Sequence, residues 1–363
     1  MDPDAIDSLF STSGRERVEE YASGKGAGQV DRTSALRVAH GNASDPWLLD
    51  FSSCTNPSIP QGAVQIYQTA FAASRSYPSD SYCDFRVAAA EYIGCEPKQV
   101  IPTPGSLAAI RLAVATTIDS DDDVLIPVPS IGEYEREVCL QGGNPTFRHY
   151  TELLEADPAE YDLVIANTPN NPVGAAYDPG RLSAFADRCQ RAGTPLLVDE
   201  SFLDFTELPS LAGRDGVIVA RSLTKVFGFP GLRAGFAVAT GKYRDRLDVT
   251  RLTWWVGKPA ADLGVYCMDD EAFVEESRSR VRSERERMRD HLESQFDIPP
   301  SDAPFLLLDA GTDSRVESVI DQARAEGIAV RDARTFRGLD SHVRVAVRLP
   351  DENDRLLAAL DGV

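Results

Sequence analysis

Lysine is nearly missing from this chain. Of its 37 basic residues only Lys25, Lys98, Lys225, Lys242 and Lys258 are lysines, and they stand against 57 acidic residues for a formal net charge of −20. Such a surface repels polyanions, which argues against nucleic acid or an anionic membrane as a partner. Long apolar runs are missing too. No stretch approaches the ~18 to 20 uninterrupted apolar residues that a membrane-spanning helix needs. The first thirty residues are polar and acidic, without the basic start and apolar run of a secretory leader, so a cytoplasmic location is expected. Cysteine and histidine are sparse: six cysteines and four histidines lie scattered, with no CxxC pair and no partner at metal spacing. No metal centre is expected, and most of the cysteines read as small core residues in a reducing compartment. Lysine depletion beside abundant Asp reads as adaptation to a high-salt cytoplasm, where ions screen the self-repulsion.

What is present is an ordinary apolar fraction of 42% spread over 363 residues, enough for a large α/β core and a second, smaller domain. Residues 1–38 carry Ser, Gly and charge and read as a mobile arm; Gly24-Lys25-Gly26-Ala27-Gly28 fails the phosphate-loop pattern. Residues 39–60 are expected to pack with the small domain, 61–245 to form the large domain, and 246–363 to supply a linking helix and the small domain. Within the large domain the runs 124–126, 162–166, 195–198, 217–220 and 234–238 read as buried strands of a mostly parallel sheet. The charged stretch 270–296, with Val274, Val281 and Met288 on one face, reads as one long helix. Beyond it, 305–309, a helix near 314–326, 328–331 and 343–347 suggest a small αβ unit.

Polar residues follow directly on several strand runs, where open α/β sheets bind ligands. Three such segments are Asn167-Thr168-Pro169-Asn170-Asn171-Pro172-Val173-Gly174, Val198-Asp199-Glu200-Ser201-Phe202, and Arg221-Ser222-Leu223-Thr224-Lys225 through Pro230-Gly231-Leu232-Arg233-Ala234-Gly235. Each alone is a common turn or cap. Together they supply what pyridoxal 5'-phosphate (PLP) chemistry needs: an amine for the aldehyde (Lys225), a carboxylate for the pyridine nitrogen (Asp199), a donor to the ring oxygen (Asn171), and donors around the phosphate (Ser222 and Arg233).

On these segments, from about residue 38 to the C-terminus, the sequence resembles the fold-type I PLP enzymes of the class I/II aminotransferase group. The resemblance implies a large domain with a mostly parallel seven-stranded sheet plus a small α/β domain. It makes Lys225 the lysine that carries the cofactor, Asp199 the partner of the pyridine nitrogen, and Asn171 the residue beside the ring oxygen. Gly105-Ser106-Leu107 stands at the phosphate-cradling turn before a helix. Tyr77 matches a tyrosine that reaches the cofactor phosphate of the neighbouring subunit, so a homodimer with shared sites is implied.

The finer pattern is similar to the threonine-phosphate decarboxylases of cobalamin synthesis. It rests on His40-Gly41-Asn42, Asp50-Phe51-Ser52 running into Asn56-Pro57, Asp199 to Phe205, Phe336 to Asp340, Arg344 to Arg348, and Glu352 to Leu357. The related histidinol-phosphate aminotransferases typically carry Tyr where Phe202 stands, and such an aminotransferase is the alternative reading. The resemblance implies decarboxylation of L-threonine O-3-phosphate to (R)-1-amino-2-propanol O-2-phosphate, with Arg331, Arg344, His40, Gly41, Cys54 and Asn171 near the substrate. Guanidinium forks suit a substrate that brings a carboxylate and a phosphate. Four positions depart from the pattern: Cys54 and Gly257 replace Asn, Leu107 replaces a hydroxyl residue near the cofactor phosphate, and Ile131 replaces the aromatic that stacks on the ring. Ile131 can cover the ring by apolar contact but forgoes aromatic stacking of ~0.5 to 1.5 kcal/mol.

The charge balance makes a direct prediction. Between 0.1 M and 1 M salt the Debye length falls from about 10 Å to about 3 Å, so the melting temperature should climb steeply over that range. A flat melting temperature would contradict the high-salt reading.

Overall fold

The structure, a computed structural model, describes Val38, Gly41 and residues 45–363. The expected arm, apart from Val38, and His40 lie outside the described residues. Twelve strands are described, and seven form the central sheet: β2 (Val100–Thr103), β3 (Asp123–Val128), β4 (Asn144–His149), β5 (Leu163–Asn167), β6 (Leu196–Asp199), β7 (Val217–Ser222) and β8 (Gly235–Val238), in the order β2-β8-β7-β6-β5-β3-β4. The pairs from β7 across to β4 are parallel, and β8 runs antiparallel to both of its neighbours. The sheet is therefore mostly parallel, with one reversed strand. Parallel strands covered on both faces must be apolar throughout, and every residue of β5, β6 and β7 is buried.

The five apolar runs read from the sequence are β3, β5, β6, β7 and β8. The two strands without such a run, β2 and β4, lie at the sheet's edges. Each carries a proline, Pro102 and Pro145, which a sheet tolerates at an edge, and β4 alternates between exposed and half-buried positions. The long helix runs from Glu271 to Leu292 with Val274, Val281 and Met288 buried.

Five short strands make two further sheets: β1 (Leu49–Asp50) pairs in parallel with β10 (Ile328–Ala329), while β9 (Phe305–Asp309), β12 (His342–Ala346) and β11 (Arg331–Asp332) form an antiparallel sheet in the order β11-β12-β9. The run 328–331, expected as one strand, thus divides at Val330 between two sheets. Residues 51–56 are strung between this region and the central sheet. Phe51 N–H donates to Ala329 O (2.8 Å), and Asn56 N–H donates to Lys225 O (2.9 Å) while its side-chain amide donates to Val226 O (2.8 Å). These bonds hold the Ser52 to Cys54 stretch against the loop that carries Lys225.

Beneath that loop lies a buried ion cluster. Arg221, at 4% exposure, donates to Glu200 at 3.1 Å and also to Asp204, which accepts from Tyr92 as well (2.8 Å). Glu200 further accepts from Ser210 and from the Leu211 N–H. Removing one member of such a group leaves uncompensated buried charge. Arg221→Met should therefore cost about 3 to 5 kcal/mol of stability, read from denaturant unfolding. A loss within about 0.5 kcal/mol, the range of an ordinary surface change, would show that the cluster contributes little.

Candidate active site

The C-terminal ends of β5, β6 and β7 and the edge of the β11-β12-β9 sheet converge on one cavity of ≈ 470 Å³. Lys225 projects into it from the short helix Leu223–Val226 that follows β7. Ser222 starts that helix: its Oγ accepts weakly from Thr224 N–H (3.4 Å) and lies 2.9 Å from the Thr224 hydroxyl. Because its tip lines the cavity, Lys225 is half-buried, and its ammonium lies 5.5 Å from the centre of the Phe202 ring. Burial pushes its pKa below the ordinary lysine value, and Arg344 and Arg233 add to the shift against the opposing effects of Cys54 and Asp199. A lysine so placed more readily offers the neutral amine that a nucleophile requires.

Asp199, the last residue of β6, is 4% exposed. Tyr134 Oη donates to its Oδ2 (2.7 Å), while the Ser201 N–H (3.0 Å) and hydroxyl both donate to Oδ1. Burial raises its pKa, and these hydrogen bonds and Lys225 work in the opposite direction. Asn167 Nδ2 donates to the carbonyl of Asp199 (3.0 Å), and Asn167 Oδ1 accepts from Asn171 N–H (2.6 Å), so the turn bearing Asn171 is registered against Asp199.

Gly105 precedes the helix Ser106–Thr117 with φ +93°, and a Cβ there would run into the Arg233 guanidinium. Arg233, itself at φ +53°, donates to Pro230 O (3.0 Å) and Pro104 O (3.3 Å). The glycine lets the arginine cross the start of a helix whose first N–H groups lack intrahelical partners, an arrangement suited to a phosphate.

Opposite Lys225, Arg331 and Arg344 are cross-strand partners in the β11-β12 register. Arg331 Nη2 donates to Thr335 Oγ1 (2.7 Å); Arg344 donates to Asn171 Oδ1 and to Ser52 O (3.0 Å), and its buried Nε has no hydrogen-bond partner among the described residues. Loss of water, then Arg344, pulls the Arg331 pKa down to about 10. The other three arginines of this stretch pair with carboxylates: Arg334 with Asp313 and Asp332, Arg337 with Glu135, and Arg348 with Glu352.

The cavity thus gathers Lys225, Asn171, Cys54, Gly41, Ile131, Arg331 and Arg344. Asp199, Ser222, Gly105, Ser106, Leu107 and Arg233 do not line it; Asp199 and Arg233 act electrostatically on Lys225, and Arg233 lies against Gly105. Cys54 is buried, and burial raises its thiol pKa, with Arg344 and Lys225 opposing. Tyr77 stands apart, 76% exposed and stacked on Trp254 at 4.2 Å. Gly257 is exposed outside the cavity, at the start of the helix Lys258–Met268. Sequence reasoning missed Tyr134 and the roles of Ser201, Thr335 and Phe336. For Tyr134 the available signal was its place three residues after Ile131 in a segment that follows a strand.

These residues fit PLP. A half-buried lysine with a depressed pKa meets an aldehyde, the buried Asp199 carboxylate gains from a cationic ring nitrogen, and the Gly105 turn presents a helix start and a guanidinium to a phosphate.

Comparison with known proteins agrees with this geometry. Residues 57–360 match the family model for aminotransferase class I and II. A protein of Caldanaerobacter subterraneus subsp. tengcongensis provisionally named a threonine-phosphate decarboxylase is 31% identical, covering 79% of this chain and 83% of its own. The histidinol-phosphate aminotransferase of Halobacterium salinarum is 29% identical over 95% of this chain and 96% of its own. The crystal structure of the Sinorhizobium meliloti histidinol-phosphate aminotransferase in complex with pyridoxal-5'-phosphate shares the fold, with a TM-score of 0.79 at 21% identity over 99% of this chain and 96% of that one.

Borohydride reduction of the PLP-loaded protein should fix the cofactor on the peptide containing Lys225. An adduct and visible absorption that persist in Lys225→Ala would refute that assignment.

Proposed function

The chain belongs to the aminotransferase class I and II family of fold-type I PLP enzymes, and from that premise we propose that it decarboxylates L-threonine O-3-phosphate to (R)-1-amino-2-propanol O-2-phosphate. The observation that carries the reading is the pair Arg331 and Arg344, in register on one wall of the Lys225 cavity. Two guanidinium groups at that spacing suit a small substrate with a carboxylate at one end and a phosphate at the other. The similarity to the Caldanaerobacter protein supports it, as does Phe202 where the aminotransferases carry Tyr.

In this reading Lys225 holds the cofactor covalently, Asp199 keeps the pyridine nitrogen protonated, and Asn171 donates to the ring oxygen. Gly105, Ser106, Leu107, Ser222 and Arg233 surround the cofactor phosphate, and Ile131 covers the ring. Bound PLP supplies an electron sink for a bond broken at the substrate's Cα. The protein decides which bond by orientation. Arg331, with Gly41 beside it, grips one anionic end and Arg344 the other, so the carboxylate is presented for cleavage and the Cα proton is kept away from the Lys225 amine; His40, outside the described residues, is a further proposed contact to the substrate. The Phe202, Phe336 and Ile131 side chains at the cavity wall exclude water and strengthen both ion pairs.

The exposed Tyr77 and Trp254 pair fits a homodimer in which Tyr77 of the partner subunit completes the phosphate site. A cytoplasmic, high-salt setting goes with the acidic surface. The second reading, a histidinol-phosphate aminotransferase, is favoured by the Halobacterium relative, whose match spans more of the chain.

Purified, PLP-loaded protein given phosphothreonine should release CO2 and the aminopropanol phosphate. Glutamate formation from histidinol phosphate and 2-oxoglutarate well above that rate would favour the second reading. Arg344→Ala should lower kcat/KM for phosphothreonine by about 2 to 5 kcal/mol in transition-state terms, the scale for truncating one partner of a buried, hydrogen-bonded charge pair. An effect under about twofold would remove Arg344 from the substrate.

A further inference from the structure

Ser201 has a part in the site that neither the motif pattern nor the cavity lining assigns. Its hydroxyl, on a residue 5% exposed, touches two groups at once: Asp199 Oδ1 and, at 2.8 Å, Ser106 Oγ. A hydroxyl has one proton and an ionised carboxylate only accepts, so Ser201 donates to Asp199 and Ser106 donates to Ser201. Ser106 is the first residue of the helix that begins at the Gly105 turn. A continuous hydrogen-bonded chain therefore joins the turn proposed to cradle the cofactor phosphate to the carboxylate proposed to face the ring nitrogen.

We propose that Ser201 is a positioning residue that couples the phosphate end of the cofactor site to the ring-nitrogen end through the Ser106–Ser201–Asp199 hydrogen-bond chain. The inference rests on the cofactor contacts proposed for Asp199 and Ser106. Its physical basis is polarisation along a buried hydrogen-bond chain. With the phosphate position empty, Ser106 gives its proton to Ser201 and strengthens the Ser201 bond to Asp199, which makes the carboxylate a poorer partner for a cationic ring. A phosphate at the helix start draws the Ser106 proton to itself. The Ser201 bond to Asp199 then weakens, and the carboxylate binds the ring more tightly. The second donor to Asp199, Tyr134, reaches the other carboxylate oxygen and does not join the Ser106–Ser201 chain, so the coupling runs through Ser201.

The test compares PLP with pyridoxal, which lacks the phosphate, by equilibrium binding to the apo form of the full chain. In the wild-type protein the ratio of the pyridoxal Kd to the PLP Kd contains the coupling as well as the phosphate's own contacts. Ser201→Ala should shift that ratio about two- to fivefold, a coupling of ordinary size for adjacent groups, and Ser201→Thr, which keeps the hydroxyl, should restore it. In a Ser106→Ala background, adding Ser201→Ala should leave the ratio unchanged. If Ser201→Ala leaves the wild-type ratio intact, or weakens both ligands equally, Ser201 is a packing residue and the coupling is wrong. The underlying reading fails separately: Asp199→Asn with wild-type affinity for both ligands would show that Asp199 does not face the ring at all.

Discussion

Three basic side chains, Lys225, Arg331 and Arg344, share one cavity, and much of the surrounding structure is arranged around that constraint. Burial and mutual repulsion draw the pKa values of Lys225 and Arg331 down, so the cavity favours anionic ligands. In a chain of net charge −20 the arrangement is costly to maintain and informative for that reason. Arg344, which the protein could have neutralised with its abundant carboxylates, is held instead by the Asn171 amide and the Ser52 carbonyl, and Arg331 donates to the Thr335 hydroxyl.

Those neutral acceptors depend on the connection between the two parts of the fold. Residues 51–56 are pinned at one end to β10 and β12 and at the other to the Lys225 loop, so Ser52 presents its carbonyl to Arg344 while Cys54 closes the wall beside it. The buried Arg221, Glu200 and Asp204 cluster supports the same loop from below. Charge is thus managed in two ways: paired off in the Arg221 cluster beneath the sheet ends, and, at Arg344, held by neutral oxygens above them.

How much of this could be read from the sequence follows from what each feature leaves in a linear pattern. The interior strands β5, β6 and β7 are mostly apolar and were legible together with the candidate site residues, because Asp199 ends β6 and Asn171 and Lys225 follow β5 and β7 within a few residues. The edge strands β2 and β4 left no such mark, being interrupted by proline and, for β4, partly open to solvent. Arg331 and Arg344 were legible only by resemblance. Nearby carboxylates, Asp332 for Arg334 and Glu352 for Arg348, and distant ones, Asp313 for Arg334 and Glu135 for Arg337, take up the other three, and it is strand register that brings Arg331 and Arg344 together. Tyr134 and Ser201 escaped for a related reason: a lone hydroxyl acquires meaning only when folding brings it to a buried carboxylate 65 residues away, as for Tyr134, or to a helix start 95 residues away, as for Ser201.

The central claim is that the two arginines orient the substrate so that the bond to the carboxylate breaks and the Cα–H bond survives. Phosphothreonine deuterated at Cα reports on this directly when the product is collected in ordinary water and analysed by mass spectrometry. The account predicts aminopropanol phosphate that retains the deuterium on the carbon bearing the amine. Loss of the label from substrate or product, at a rate matching or exceeding turnover, would mean that the Cα proton is the group abstracted, and would contradict it.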